Sequence, residues 1–267
     1  MASSLQSKRK NKRRKNGLPN GLLARLQLVI TLDEYPPQLT DDAISLLDSY
    51  SPSVFGSCTL RWYRPRNPLN VAEYRRSIRL PGQAPYLALP VLPCALPPDL
   101  PNARVIIPTH PSILPLLLAA NYAGVNVQKY DIVSERNSIR QVAMNNEDYV
   151  ISVIRLDSTL FLRRYPSYHS VDKNDTGFRF ERLCTKKNGF LHSDHYQLVG
   201  SRVGEFQILM LCETDALQSG SLQSVELKCS QHNPTKAFKH EWWLQAFLSK
   251  MKLNTGLENI CFNDFIN

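Results

Sequence analysis

Apolar and polar positions along this chain fall into two rhythms, one suited to helices and one to strands. Ile113 to Ala123 is a continuous leucine-rich run, too long and too apolar for a simple edge strand, and predicts a buried helix. Tyr149 to Leu156 and Thr159 to Arg164 are two β-prone runs separated by Asp157-Ser158, the pattern of a short hairpin. Asp175-Thr176-Gly177 then introduces Phe178 to Cys184, a helical segment that turns Phe180, Leu183 and Cys184 toward a core and carries Glu181 at its middle. Phe206 to Leu211 and Ser224 to Cys229 read as strands, with a turn at Gln218-Ser219-Gly220-Ser221 that predicts a hairpin between them. Lys239 to Lys250 follows as an amphipathic helix with Trp242, Trp243, Ala246, Phe247 and Leu248, from which Gln245 projects toward the strand ends.

Upstream the rhythm is weaker. Leu22 to Leu32 is apolar enough to pack as a strand, and Thr40-Asp41-Asp42 offers helix-starting chemistry for Ala43 to Ser49. Residues 51 to 112 are rich in proline, with Pro90, Pro93, Pro97, Pro98 and Pro101 close together. Proline removes a backbone donor and resists regular structure, so this region is expected to be extended, irregular and draped over the core rather than part of it. Within it Leu60-Arg61-Trp62-Tyr63-Arg64-Pro65-Arg66, followed by Tyr74-Arg75-Arg76, interleaves bases with aromatics. Such a stretch suits an RNA backbone and stacked bases; an edge strand with its arginines in water is the plainer reading. No internal repeat is present.

Composition narrows the picture. A chain of 267 residues with 43% hydrophobic and 21% charged content can bury one substantial core. Its net charge of +9 is uneven: residues 1 to 16 hold Lys8, Arg9, Lys10, Lys12, Arg13, Arg14 and Lys15 and no acid, so the remainder carries only +2. We therefore expect a disordered basic tail over residues 1–20 and a single domain over 21–267. The tail reads as a nuclear address or a nonspecific nucleic-acid arm. Neither a secretory hydrophobic region nor a bilayer-spanning run occurs, so no membrane association is expected. The six cysteines lack a Cys-x-x-Cys pair and read as reduced, mostly buried thiols. His192 and His195, with Cys184 nearby, lack the second ligand pair that a zinc site needs.

The chemistry concentrates late in the chain. The apolar run from Phe206 ends in Glu213-Thr214-Asp215, and the next strand carries Glu226-Leu227-Lys228. Strand side chains alternate faces, so each pair shares one side. Each pair taken alone is also what a solvent-facing strand looks like. Together they set three carboxylates at one spot, where mutual repulsion calls for a hard divalent cation such as magnesium or manganese. The added lysine suits an anionic phosphate or an attacking water.

Gly177-Phe178-Arg179-Phe180-Glu181, Glu213-Thr214-Asp215, Glu226-Leu227-Lys228 and Trp242-Trp243-Leu244-Gln245-Ala246-Phe247 occur in this order, with Ser201-Arg202-Val203-Gly204 between them. They resemble the ordered motifs of the DXO family of RNA decapping nucleases and 5′-3′ exoribonucleases, over about Tyr149 to Leu248. The resemblance implies an α/β (α+β) fold, a mixed, twisted β-sheet flanked by helices. It implies metal ligation by Glu181, Glu213, Asp215, Glu226 and the backbone carbonyl of Leu227, holding two divalent cations, Mg2+ or Mn2+. It places catalysis on Glu213, Lys228 and Gln245, with Lys228 and Gln245 at the scissile phosphate or attacking water. The implied activity is metal-dependent hydrolysis of incomplete or noncanonical RNA 5′ ends, including pyrophosphate and NAD-cap removal and 5′-3′ exonuclease action. The implied setting is nuclear, with a nuclear 5′-3′ exoribonuclease as partner.

The chain departs from that pattern twice. The family carries an arginine before the strand matching Tyr149 to Leu156, where it helps hold the RNA 5′ end; Met144 to Tyr149 has none, and Arg140 is out of register. The chain also ends at Asn267, soon after Gln245, where family members continue. An alternative is therefore a weakly active or inactive relative that binds RNA ends or proteins as a scaffold, and a more remote one is a DNA nuclease of the Glu-x-Lys type.

Overall fold

The computed structural model describes residues 41–61, 77–91, 95–106, 112–144, 149–165, 170–186, 193–221, 223–228, 240–249 and 251–253. The basic tail, Leu22 to Leu32, the aromatic-basic stretch beyond Arg61, and His192 lie outside them.

Helix α1 (Asp41–Asp48) leads into β1 (Ser53–Arg61), β2 (Ile78–Arg79), β3 (Tyr86–Leu87) and β4 (Arg104–Ile106). Helix α2 (Leu114–Tyr122) precedes β5 (Ile132–Glu135), which runs directly into α3 (Arg136–Met144). The hairpin β6 (Ile151–Leu156) and β7 (Thr159–Arg164) follows, then β8 (Ser170–Asp172), α4 (Thr176–Leu183) and β9 (Thr185–Lys186). The chain continues through β10 (Ser193–Val203), β11 (Phe206–Glu213), β12 (Ala216–Leu217), β13 (Ser224–Glu226), α5 (His240–Leu248) and β14 (Lys252–Leu253).

A seven-stranded sheet in the order β2-β1-β10-β11-β5-β7-β6 forms the centre. It is mixed: β5 lies parallel to both β11 and β7, and the other neighbours are antiparallel. A five-stranded sheet, β14-β13-β12-β3-β9, stands beside it, and β4 pairs with β8. Strand β11 occupies the middle of the large sheet because its run Ile208 to Cys212 is apolar on both faces. Leu209 and Leu211 turn to one face, where Leu116, Ala119 and Ala120 of α2 meet them with Val133 and Leu198. Ile208, Met210 and Cys212 turn to the other, against Leu248, Leu244 and Phe247 of α5 and Ile139 of α3. Helices thus cover both faces, and the mixed α+β architecture is the expected one.

Local signals hold the elements in register. Pro115 sits in the first turn of α2, where its missing N–H costs nothing. That helix ends where Gly124 takes φ 68° and Val125 N–H reaches back to Ala120 O at 2.9 Å. Asp157, with φ 54°, turns the β6–β7 hairpin in two residues. Asp175 caps α4 by accepting the Gly177 N–H at 3.0 Å.

Two expectations are corrected. The proline-rich region contributes to the core: β1 pairs with β10 over its whole length, and Cys58 and Leu60 are buried. Its prolines cluster only after Leu80, which leaves the earlier residues free to pair. The strand ending at Glu213 also does not form a hairpin with the strand holding Glu226. Both edges of β11 are already taken, by β10 and β5, so the chain crosses to the second sheet and the turn at 218–223 joins β12 to β13. No helix among the described residues is long and apolar enough to cross a membrane.

Candidate active site

The two sheets meet at Glu213-Thr214-Asp215. Glu213 is the last residue of β11, still paired with Tyr196 of β10, and Thr214 donates its N–H to His195 O at 2.9 Å. Ala216 already pairs with Val225 in the second sheet. Leu227 N–H then donates to Asp215 Oδ2 at 2.6 Å, which ties the end of β13 to the crossing and brings Glu226 and Lys228 to it. Glu181 arrives from α4, whose Phe180 is fully buried among Cys184, Ala216, Val225 and Leu227.

Glu226 is the deepest of these acids, its side chain 1% exposed. Its Oε2 lies 3.0 Å from Nη1 of Arg136 and its Oε1 is ion-paired with Nζ of Lys228. The same Arg136 nitrogen donates to Ser249 Oγ at 2.9 Å and to Gln245 O at 3.4 Å. A second buried pair joins Lys173 Nζ to Asp194 Oδ1 at 3.0 Å.

The charges act strongly on one another. Burial, then the charge of Asp215, pushes the Glu181 carboxyl well above its ordinary value. Burial together with Glu226 pushes Asp215 up to about 7, and burial with Asp194 raises Glu213. Glu226 goes the other way: burial opposes its ionisation, but Arg136 and Lys228 outweigh it and hold the carboxylate below the usual range. The half-buried Lys228 ammonium is held charged above its ordinary value, since Glu226 and Asp215 overcome its desolvation.

The structure thus gathers Glu181, Glu213, Asp215, Glu226 and Lys228 at one junction. Leu227 joins through its N–H, which holds Asp215, and Gln245 through its backbone carbonyl, which accepts from Arg136. Among the described residues no three His, Cys, Asp or Glu side chains are drawn together as a preformed metal cage. Donor chemistry and charge nevertheless fit a hard divalent cation, because neighbouring carboxylates that repel one another are stabilised by positive charge. Glu181, Glu213, Asp215 and Glu226 would hold it.

Sequence reasoning missed Arg136, Ser249, Lys173 and Asp194. An arginine does reach the cluster, from the first turn of α3 and upstream of the stretch where one was sought. Its signal was its place directly after the buried strand Ile132–Glu135. Arg140, one turn later, pairs instead with Glu241. His195 is buried, with Nδ1 3.3 Å from Thr59 Oγ1, and burial pushes it down to about 4. Cys184 packs in the core of the second sheet.

No protein-family model matches the sequence, and neither does any curated protein. Solved structures do match. S. pombe Rai1 superposes with a TM-score of 0.57 at 15% identity, over 76% of this chain and 68% of that one. The chain has the Rai1 fold. The complex of S. pombe Rai1 with 3'-FADP gives 0.58 at 15% identity over the same shares, and Rai1 of Scheffersomyces stipitis gives 0.51 at 14%, over 76% of this chain and 65% of that one. This likeness in fold agrees with the architecture that the motif resemblance implied.

Proposed function

We propose that this chain is a divalent-metal-dependent hydrolase of RNA 5′ ends, acting on incomplete or noncanonical caps, on 5′ triphosphates and on NAD-type ends. The observation that carries the reading is the meeting of four motif acids and Lys228 where the two sheets of a Rai1-like fold join. A cation bound by those acids supplies Lewis-acid polarisation of the phosphate. The Lys228 ammonium, fixed by its ion pair with Glu226, offsets negative charge as it develops on the phosphate. Arg136 keeps Glu226 ionised and oriented, and Gln245 is positioned by the helix whose carbonyl Arg136 holds. The structure of S. pombe Rai1 in complex with 3'-FADP supports testing FAD-type ends alongside NAD-type ones. We place the protein in the nucleus by its basic tail, working beside a 5′-3′ exoribonuclease.

The test compares wild type with the double variant Glu226→Ala and Asp215→Ala, in manganese, on RNAs with triphosphate, unmethylated-cap, NAD or FAD ends. Wild type is expected to release 5′-end products that name the substrate, and the double variant to release none. Equal silence of both, with RNA or protein binding retained, would make the chain a scaffold instead. Preferred cleavage of duplex DNA would make it a DNA nuclease.

A further inference from the structure

Gln197 and Ser224 lie outside the motifs of the sequence, yet their side chains join the two sheets beside the motif acids. Gln197 pairs with Cys212 in the β10–β11 ladder, one residue before Glu213. It shares a face of β10 with Val199, which packs with Leu248 of α5. Ser224 opens β13, pairs with Leu217, and stands two residues before Glu226, so the two share one face of that strand. Ser224 Oγ donates to Gln197 Oε1 at 2.6 Å. Glu226 is held by Arg136 at 3.0 Å, and that arginine also bonds to α5 and to Ser249 just beyond it. Both ends of β13 are therefore fastened by side chains of the large-sheet layer, Ser224 by Gln197 and Glu226 by Arg136.

Thr214 extends the arrangement to the other motif. It sits between Glu213 and Asp215, and strand alternation turns its side chain away from theirs. Its hydroxyl lies 3.5 Å from Gln197 Oε1 and 3.5 Å from Cys212 O. One amide oxygen thus faces hydroxyls from both acidic segments. Gln197, Thr214 and Ser224 are 6%, 1% and 6% exposed, so a hydroxyl that lost this acceptor would be buried without its bond. Buried groups that hold the segments behind a set of ligands orient those ligands without touching what they bind.

We infer that Gln197 is a positioning residue: by accepting the Ser224 hydroxyl, with Thr214 beside it, it sets the spacing between the Glu213–Asp215 segment and Glu226, and with it the affinity of the site for a divalent cation. The inference rests on the metal-dependent reading given above.

The experiment titrates the full chain with Mn2+ and reads free ion by electron paramagnetic resonance, with circular dichroism melts of the metal-free proteins alongside. Ser224→Ala and Gln197→Met should each weaken Mn2+ binding by about tenfold or more. Ser224→Thr, which keeps the hydroxyl, should stay near wild type. Leu116→Ala, a cavity variant in the α2 core on the opposite face of the sheet, should lower the melting temperature and leave Mn2+ affinity unchanged. Wild-type affinity in folded Ser224→Ala overturns the inference while leaving metal dependence intact. So does an equal loss in Ser224→Thr, or in Leu116→Ala, since either would trace the effect to packing rather than to the bond. No Mn2+ on wild type overturns the metal-dependent reading and this inference with it. Ser224→Ala, the smaller change, decides if Gln197→Met does not fold.

Discussion

Asp215 shows how far a single residue can be displaced from its ordinary chemistry. Its carboxyl is pushed up to about 7, first by burial and then by the neighbouring charge of Glu226. A group whose folded pKa is raised stabilises the fold fully only below its unfolded value, and that contribution is lost as pH rises through the folded one. The metal-free protein should therefore lose stability between about pH 4 and about pH 7 from this residue, and Asp215→Asn should flatten the loss. Thermal melts across that range check it. Manganese should raise the melting temperature more at the upper end than at the lower, because the ionised acid is the form that needs a cation. At this scale the sequence was informative: the acids and the lysine were legible as residue types at fixed spacing. Their altered acidity was not, since it depends on burial and on neighbours brought from α3, α4 and β10.

Between elements, Arg136 does the joining. It starts α3, pairs with Glu226 at the end of β13, and bonds to the carbonyl of Gln245 and the hydroxyl of Ser249 at the end of α5. Removing one partner of a buried pair leaves the other charge uncompensated. Arg136→Met should destabilise the protein by about 3–5 kcal/mol, measured by urea unfolding, and Arg136→Lys by less. A loss under about 1 kcal/mol would mean that Lys228 alone suffices for Glu226. The strands and helices were largely readable from their patterns: α2, the β6–β7 hairpin, α4 with its Asp175 cap, and α5 all lie where periodicity put them. The pairing of β11 was not, because a run that is apolar on both faces says that a strand is central without naming its neighbours.

For the molecule as a whole, charge divides the chain. Residues 1 to 16 carry seven of the nine net positive charges, and the rest is close to neutral. If the tail is a nuclear address, deleting it should move a tagged protein out of the nucleus, and imaging checks this; unchanged localisation would defeat the address. If it also serves as a nucleic-acid arm, the same deletion should flatten the salt dependence of RNA binding, because fewer phosphate contacts release fewer counterions.

By itself, the sequence determined the residue types of the site, the order of its motifs, the helices and most strands, because these depend on local periodicity, capping and spacing. Tertiary packing brought β1 into the core, set Glu213 and Glu226 in different sheets, and paired Arg136 with Glu226 and Lys173 with Asp194. Those facts depend on which strand edges remain free and on which distant side chains share a buried volume, and no local pattern encodes either.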